Sequence, residues 1–416
     1  MKSSASTPIR LVLLVVMPFG VGYFLSFLFR NTNAVLAPEL IRTFGLDASE
    51  LGVLTAVFFA AAALQYVPLA LLLDRFGPKR IFIGQAIITV IACLMTAWAE
   101  SFAMLVVARG LIGIGVAACL TTAFKAIIVW FPRDRLATGN GMIMFAGALG
   151  AVTSTRPLQM FLANHDWREM FILAAIVSAA LALFVAFAMP ERNSERVADG
   201  RSSFTVYREI LTHPVYWRVS PAAAFGLAGF FAIQGLWANG WMSDVAGLDQ
   251  AAIGQRLLAM ALAMIAGTLI NGAMIDALAR RGFDRSAYMA IGLGGLLFAE
   301  FALATKLDPQ AYWPWLLMGF TGNIGALVHP ILNRVYPVHY AARSISTIAV
   351  LTFTLVFVIQ SGIGFILDLW GARPDGSYPE IAYYVGFGIL VFAQGACLLY
   401  LVISLPRLRA EARKAG

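Results

Sequence analysis

The chain has 416 residues, of which 60% are hydrophobic and only 12% are charged, and its formal net charge at pH 7 is +8. Soluble domains are about one quarter charged, so this composition excludes an ordinary water-soluble globular protein. A strong positive charge on a soluble protein would suggest a nucleic-acid partner. Here the basic residues cluster at the ends of apolar segments, so we predict a lipid bilayer and no nucleic acid.

Apolar runs predict twelve membrane-spanning helices, each near the 20 residues that a bilayer requires. Helices are expected because lipid offers no hydrogen-bond partner to backbone N–H and C=O groups. The run that begins at Leu11 is too long for a signal peptide, and no small-residue cleavage site follows it. The predicted spans are residues 11–36, 50–73, 81–99, 102–131, 136–163, 168–189, 216–243, 252–278, 287–305, 311–336, 344–369 and 380–404.

The basic residues predict the orientation of these spans. If both termini are cytoplasmic, the inner segments hold 21 of the 30 Lys and Arg residues, the outer segments five and the spans four. This asymmetry follows the positive-inside rule. We therefore expect a multi-pass protein of the cell inner membrane with both termini in the cytoplasm.

A polar stretch divides the spans six and six. It predicts an N-terminal six-helix bundle over 1–189, a cytoplasmic linker over 190–215 and a C-terminal six-helix bundle over 216–416. The halves share short repeats, such as FGLDASELG (44–52) and AGLDQAAIG (246–254), at an offset of 202 residues. The predicted fold class is an all-α membrane protein with two pseudo-symmetric bundles, an arrangement typical of transporters with a central binding site.

The segment between predicted spans 2 and 3, ALLLDRFGPKR (70–80), resembles the signature loop of the major facilitator superfamily, G-x-x-x-D-R-x-G-R-K/R-R. Ala70 replaces the first glycine and Pro78 replaces a basic residue. The second half holds a weaker copy, GAMIDALARRG (272–282). ARGLIGIG (108–115) is similar to the R-x-x-x-G pattern of span 4 in that superfamily, and DWREMF (166–171) to the W-R-x-x-F start of span 6.

The resemblance implies a secondary transporter that works by alternating access. Polar contacts at the signature loop are then expected to form in one state and break in another, although a plain positive-inside loop would also explain the charges. We predict a role in coupling or gating for Asp74, Arg75, Gly77, Arg80, Arg109, Asp276, Arg280 and Glu300.

Four cations lie inside the predicted spans of the first half: Arg30, Arg109, Lys125 and Arg156. No Asp or Glu lies in the middle of spans 1 to 6, so a mobile anion is expected to offset the cost of the buried charge. Guanidinium groups bind carboxylate and phosphate through two parallel hydrogen bonds. The sequence therefore predicts that the protein binds an anionic solute.

Three of these cations also have an alternative explanation, whereas Arg156 lies beside Pro157, which is expected to break the helix there. Arg30 shares a helical face with Tyr23 and Asn33, which favours binding, but its side chain could instead extend to the outer interface. The Lys125 side chain either binds the solute or extends to the inner membrane interface. Arg109 is better explained as a structural or coupling residue that bonds to backbone groups.

The second half supplies neutral polar and aromatic groups. The predicted substrate-binding residues there are Gln234, Trp237, Asn323, His329, Asn333 and Gln360. An interfacial aromatic belt is the alternative for the tryptophan, and a packing histidine is the alternative for His329. Either His329 or Glu300 is a candidate carrier of a coupled proton.

The sequence holds no phosphate-binding loop and no paired metal-ligand pattern, so we predict no cofactor, no metal site and no catalytic residue. The predicted function is transport of a small organic anion by a monomer, coupled to protons or to exchange of a second anion. Two alternatives stay open. One is a siderophore, iron-chelate or drug transporter of the same fold, and the other is a transporter-like sensor.

Overall fold

The computed structural model describes residues 11–117, 119–132, 135–190, 203–337 and 340–415. Over these residues the secondary structure is helical and contains no strand, which confirms the predicted fold class. Eleven helices in the described part of the chain are long and apolar enough to cross a membrane. The remaining predicted span, the fifth (136–163), is present as two consecutive helices.

The chain divides into two compact units, the first of which is Met1–Gly45 with Val57–Val197. Its first helix continues to Phe44, beyond the predicted end at residue 36, because the helix accommodates Pro38 in its interior. The elements of this unit are a π-helical turn (Val12–Val16), α1 (Met17–Phe44), α2 (Ala48–Ala97), α3 (Phe102–Ala117), α4 (Cys119–Trp130), α5 (Leu136–Thr153), α6 (Arg156–Leu162) and α7 (Trp167–Ala188).

Helix α2 is interrupted at the signature segment. Gly77 has φ 74° and ψ 168°, a conformation that is open to glycine and strained for any residue with a Cβ atom. Two residues later, the Lys79 ammonium donates hydrogen bonds to the carbonyls of Ala186 and Met189, the former at 2.9 Å. Because a cation is stabilised beside the free carbonyls of a helix C-terminus, this contact fixes the signature segment to the end of α7.

The second unit is Leu46–Ala56 with Ala198–Gly416, so α2 begins within it. Part of the predicted linker, residues 191–202, lies outside the described residues. The helices of this unit are α8 (Ser203–Thr212), α9 (Pro214–Ala232), a π-helical turn (Ile233–Trp237), α10 (Ala238–Asp244), α11 (Gln250–Arg280), α12 (Arg285–Ala304), α13 (Trp313–Gly322), a 3-10 turn (Ile324–Leu327), α14 (Val328–Leu332), α15 (Ala341–Trp370) and α16 (Glu380–Ala415).

Helix α8 lies inside the predicted linker and is part of the second unit. Its Val206 and Ile210 are fully buried in the apolar cluster of that unit. The Tyr336 hydroxyl donates to the Ile210 carbonyl at 3.0 Å, and the Trp217 indole donates to the Leu211 carbonyl at 2.7 Å. The described part of the linker is therefore folded.

The sequence repeat encodes the same local structure at the start of two helices. Asp47 and Asp249 each accept a hydrogen bond at 2.7 Å from the backbone N–H three residues on, which caps α2 and α11. Two residues before each aspartate, Gly45 and Gly247 adopt left-handed φ values of 67° and 65°. A glycine turn followed by an aspartate cap thus recurs at the offset of 202 residues.

We expect Gly77→Ala to destabilise the protein by about 1–3 kcal/mol, because its backbone conformation is unfavourable for alanine. The matched control is Gly84→Ala on the regular part of the same helix. An added Cβ meets no atom within 4 Å at either position, so the two variants differ in backbone conformation rather than in packing. Thermal unfolding of the purified protein in detergent should show a lower midpoint for Gly77→Ala alone. Equal midpoints for the two variants would contradict this account.

Candidate functional site

Arg30 is buried near the middle of α1. Its side chain is 8% exposed, and the polar residues that follow it, Asn31, Thr32 and Asn33, are buried too. The guanidinium lies 4.7 Å from the centre of the Phe27 ring. Since α1 runs to Phe44, Arg30 lies near the middle of this helix rather than near its end, and its side chain is buried within the first unit.

Two phenols lie near the Arg30 guanidinium. Tyr23 and Tyr66 are close enough for an electrostatic interaction with it. The Tyr66 hydroxyl donates to the Ala117 carbonyl at 3.1 Å. The Tyr23 ring packs against α5 at Gly147, where an added Cβ would lie 2.4 Å from the ring. The close approach of α5 to α1 thus depends on glycine at this position.

Arg109 contacts α1 at the level of Arg30 through one of its guanidinium nitrogens, while Nε and Nη1 make no hydrogen bond in the described structure. Its Nη2 donates to the Phe29 carbonyl at 2.7 Å, and its guanidinium lies 5.0 Å from the centre of the Phe58 ring. The side chain is 4% exposed. These contacts connect α3 to α1 and α2, as expected for the structural alternative.

Arg156 follows a break in the predicted fifth span. Helix α5 ends at Thr153, and α6 begins at Arg156. The hydroxyls of Ser154 and Thr155 donate to the carbonyls of Ala151 and Val152, at 2.7 and 2.6 Å, and so satisfy backbone groups that the break would leave free. Arg156 and Lys125, on α4, are half-buried. Among the described residues of the first unit, no Asp or Glu side chain is buried.

In the second unit, Trp237 and Gln360 meet. The Trp237 indole donates to the Gln360 backbone carbonyl at 3.2 Å, across 123 residues of sequence. Gln234 and Trp237 both lie on the π-helical turn Ile233–Trp237, a local distortion that is frequent at functional sites. The Gln234 amide has only a weak contact with the Met264 sulfur, at 3.9 Å. Three predicted residues are therefore grouped near one distorted turn.

The polar residues of predicted span 10 are not grouped in this way, because the span is broken. Helix α13 ends at Gly322, and a 3-10 turn precedes α14. Asn323 donates to the Thr268 hydroxyl of α11 at 3.1 Å. His329 is half-buried on α14, and Asn333 is exposed just after that helix. The sequence pattern thus predicted one continuous helix for these three residues, whereas the structure gives them different environments.

Glu300 is fully buried in α12, and within the described structure neither carboxyl oxygen makes a hydrogen bond. The Gln394 side chain lies beside it, and both approach α9 at Gly229. The Gln394 amide donates to the Phe225 carbonyl at 3.2 Å. Glu300 thus occupies the interior of the second unit.

The structure describes the side chains of some predicted gating residues and not of others. Arg75, Arg80 and Arg280 are exposed. The side chains of Asp74 and Asp276 lie outside the described part of the chain. These roles stay predictions.

Sequence reasoning missed a polar network in the second unit. Asp368 accepts hydrogen bonds from the backbone N–H groups of Ala48 and Ser49, at 3.1 and 2.6 Å, and so caps the start of α2. The Tyr378 hydroxyl also donates to Asp368, at 2.8 Å, while its backbone N–H donates to Asp244 at 3.0 Å. Burial and the neighbouring Asp368 raise the pKa of Tyr378, which keeps its hydroxyl a donor. The sequence signal was an aspartate at the end of an apolar span.

Comparisons with known proteins agree with this architecture. The sequence profile of the Major Facilitator Superfamily matches residues 19–364. The probable sulfoacetate transporter SauU of Cupriavidus necator is 26% identical over 67% of this chain and 67% of its own. The probable L-galactonate transporter of Escherichia coli K12 is 26% identical over 71% and 69%. A bacterial homologue of the human lysosomal transporter Spinster has a similar structure, with a TM-score of 0.74, 21% identity and 98% coverage of both chains.

We expect Arg109→Gln to lower the stability of the protein by about 1–3 kcal/mol, because the buried Phe29 carbonyl loses its charged partner. Arg281→Gln is the matched control, since Arg281 is exposed at the end of α11. Thermal unfolding midpoints of the purified variants measure the difference. An unchanged midpoint for Arg109→Gln, together with loss of solute binding, would show that this residue contacts the solute instead.

Proposed function

The chain belongs to the Major Facilitator Superfamily, and we propose that this multi-pass membrane transporter moves a small organic anion by alternating access. The names of two relatives support an anionic substrate, since one relative is a probable transporter of sulfoacetate and the other is a probable transporter of L-galactonate. Both solutes are small and carry negative charge. The proposal places the protein in the inner membrane as a monomer with both termini cytoplasmic, and assigns it no enzymatic activity and no nucleic-acid partner.

The observation that carries the proposal is the excess of positive charge inside the first unit. Arg30 is buried at mid-helix, and Lys125 and Arg156 are half-buried, whereas no acidic side chain is buried in the described part of that unit. Charge in a membrane interior is costly and marks solute pathways. An arriving anion lowers that cost, and Arg30 and Arg156 offer it bidentate hydrogen bonds.

Tyr23 and Asn33 support Arg30 in this proposal, and the neutral groups of the second unit complete the set of binding residues. Those groups are Gln234, Trp237, Asn323, His329, Asn333 and Gln360. Arg109 is assigned the structural and coupling role that its bond to Phe29 supports. The signature segment is assigned the gating role, with Lys79 fixing it to α7.

Two forms of coupling fit this chain. Proton symport would use His329 or Glu300, the titratable side chains on α14 and α12. Exchange of one anion for another needs no such group, and the shortage of acids in the spans favours it. Accumulation driven by an imposed pH gradient in proteoliposomes supports symport, whereas uptake that requires anion inside the vesicles supports exchange.

The test of the anion proposal is uptake of labelled sulfoacetate and galactonate by proteoliposomes that contain the purified protein. We expect Arg30→Gln and Arg156→Gln each to lower uptake at low solute concentration by about tenfold or more, because each removes a charged hydrogen-bond donor. The matched control is Arg42→Gln, which removes an exposed guanidinium from the same helix as Arg30.

Uptake that survives both Arg30→Gln and Arg156→Gln would overturn the anion proposal. Preferential uptake of organic cations by the wild-type protein would do the same. Saturable binding of an anion without any flux would favour a sensor over a transporter.

A further inference from the structure

The side chain of Gln360 is a buried amide without partners. Gln360 is 0% exposed, and neither its Oε1 nor its Nε2 makes a hydrogen bond in the described structure. The residue is fixed in place, because Trp237 donates to its carbonyl and because α2 packs against that carbonyl at Gly52, where an added Cβ would lie 2.8 Å from the oxygen. A buried amide left unsatisfied is destabilising, so the arrangement calls for a group that supplies both a donor and an acceptor.

Trp237 and Gly52, the residues shown to contact Gln360, carry no charge. The Ser361 hydroxyl, next in sequence, is buried and also lacks a hydrogen bond in the described structure. On the facing π-helical turn, Trp237 is buried, and Gln234 retains unused hydrogen-bonding capacity beyond its weak sulfur contact. Asp368, further along α15, is already engaged by two backbone N–H groups and Tyr378. These groups offer hydrogen bonds rather than charge to a ligand.

We propose that Gln360, with Trp237 and Gln234, forms a neutral subsite in the second unit that binds hydroxyl groups of the transported anion. A hydroxyl both donates and accepts, so a pair of adjacent hydroxyls satisfies both ends of one amide. The indole face of Trp237 suits the C–H surface of such a molecule. The inference rests on the proposed anion transport and narrows it to hydroxylated carboxylates or sulfonates.

Selectivity follows from the same chemistry. A site that is built to hydrogen-bond a hydroxyl rejects an analogue without that group strongly, because the buried polar atoms of the site are then left unpaired. Tartrate and succinate are suitable probes, since both are four-carbon dicarboxylates and they differ only in two hydroxyl groups. Galactonate and hexanoate form a second pair with a single carboxylate.

The experiment measures binding of each probe to the purified full-length protein by the rise in its thermal unfolding midpoint, which a ligand causes by mass action. We expect the wild-type protein to prefer the hydroxylated member of at least one pair by about tenfold or more. Gln360→Met has similar size but no hydrogen-bonding amide, and should reduce the preference to less than about threefold. Gln310→Met makes the same change at an exposed position and should retain the preference.

The unligated protein provides a second readout. If Gln360 serves binding, Gln360→Met removes an unsatisfied polar group and leaves the unligated midpoint unchanged or higher. A lower midpoint would show that the amide has a structural role and would overturn the inference. Equal binding of both members of each pair to the wild-type protein would overturn it as well, while leaving anion transport intact. A failure of all four anions to bind, together with the absence of anion uptake, would instead reject the proposed function itself.

Discussion

The structure depends on one constraint: inside a membrane, every polar group must find its partner within the protein or in the solute. The long apolar helices satisfy this constraint through their own backbone hydrogen bonds. Where a helix is interrupted, other groups compensate. At the break between α5 and α6, the hydroxyls of Ser154 and Thr155 bond back to the preceding turn. Polar atoms that stay unsatisfied, such as those of Gln360, are therefore informative.

Both units bury a cation. Arg109 in the first unit donates to a backbone carbonyl and lies over the Phe58 ring, and Arg256 in the second unit donates to a backbone carbonyl and lies over the Tyr312 ring. The second unit contains buried amides and tryptophans, with Glu300 as the buried acid in its described part.

The sequence identified residues that are unusual in a membrane span but not where the helices that hold them end. Residue type alone identified Arg30 as exceptional, since a guanidinium in an apolar run is costly. The end of its helix was predicted too early, because Pro38 and the polar residues around it look like the end of a span, whereas α1 continues through them to Phe44. Predicted span 10 corresponds to Trp313–Leu332, which is long and apolar enough to cross a membrane, but a 3-10 turn after Gly322 interrupts its helix and the apolar composition did not predict this break.

The sequence by itself determined the helical membrane fold, because hydropathy and length leave no other way to satisfy the backbone in lipid. It also determined the repeated glycine turn and aspartate cap at Asp47 and Asp249, since these depend on neighbouring residues only. Tertiary structure decided that Trp237 contacts Gln360 and that Asp368 caps α2. These contacts join residues more than one hundred positions apart, and such pairings arise from helix packing, which local pattern does not encode.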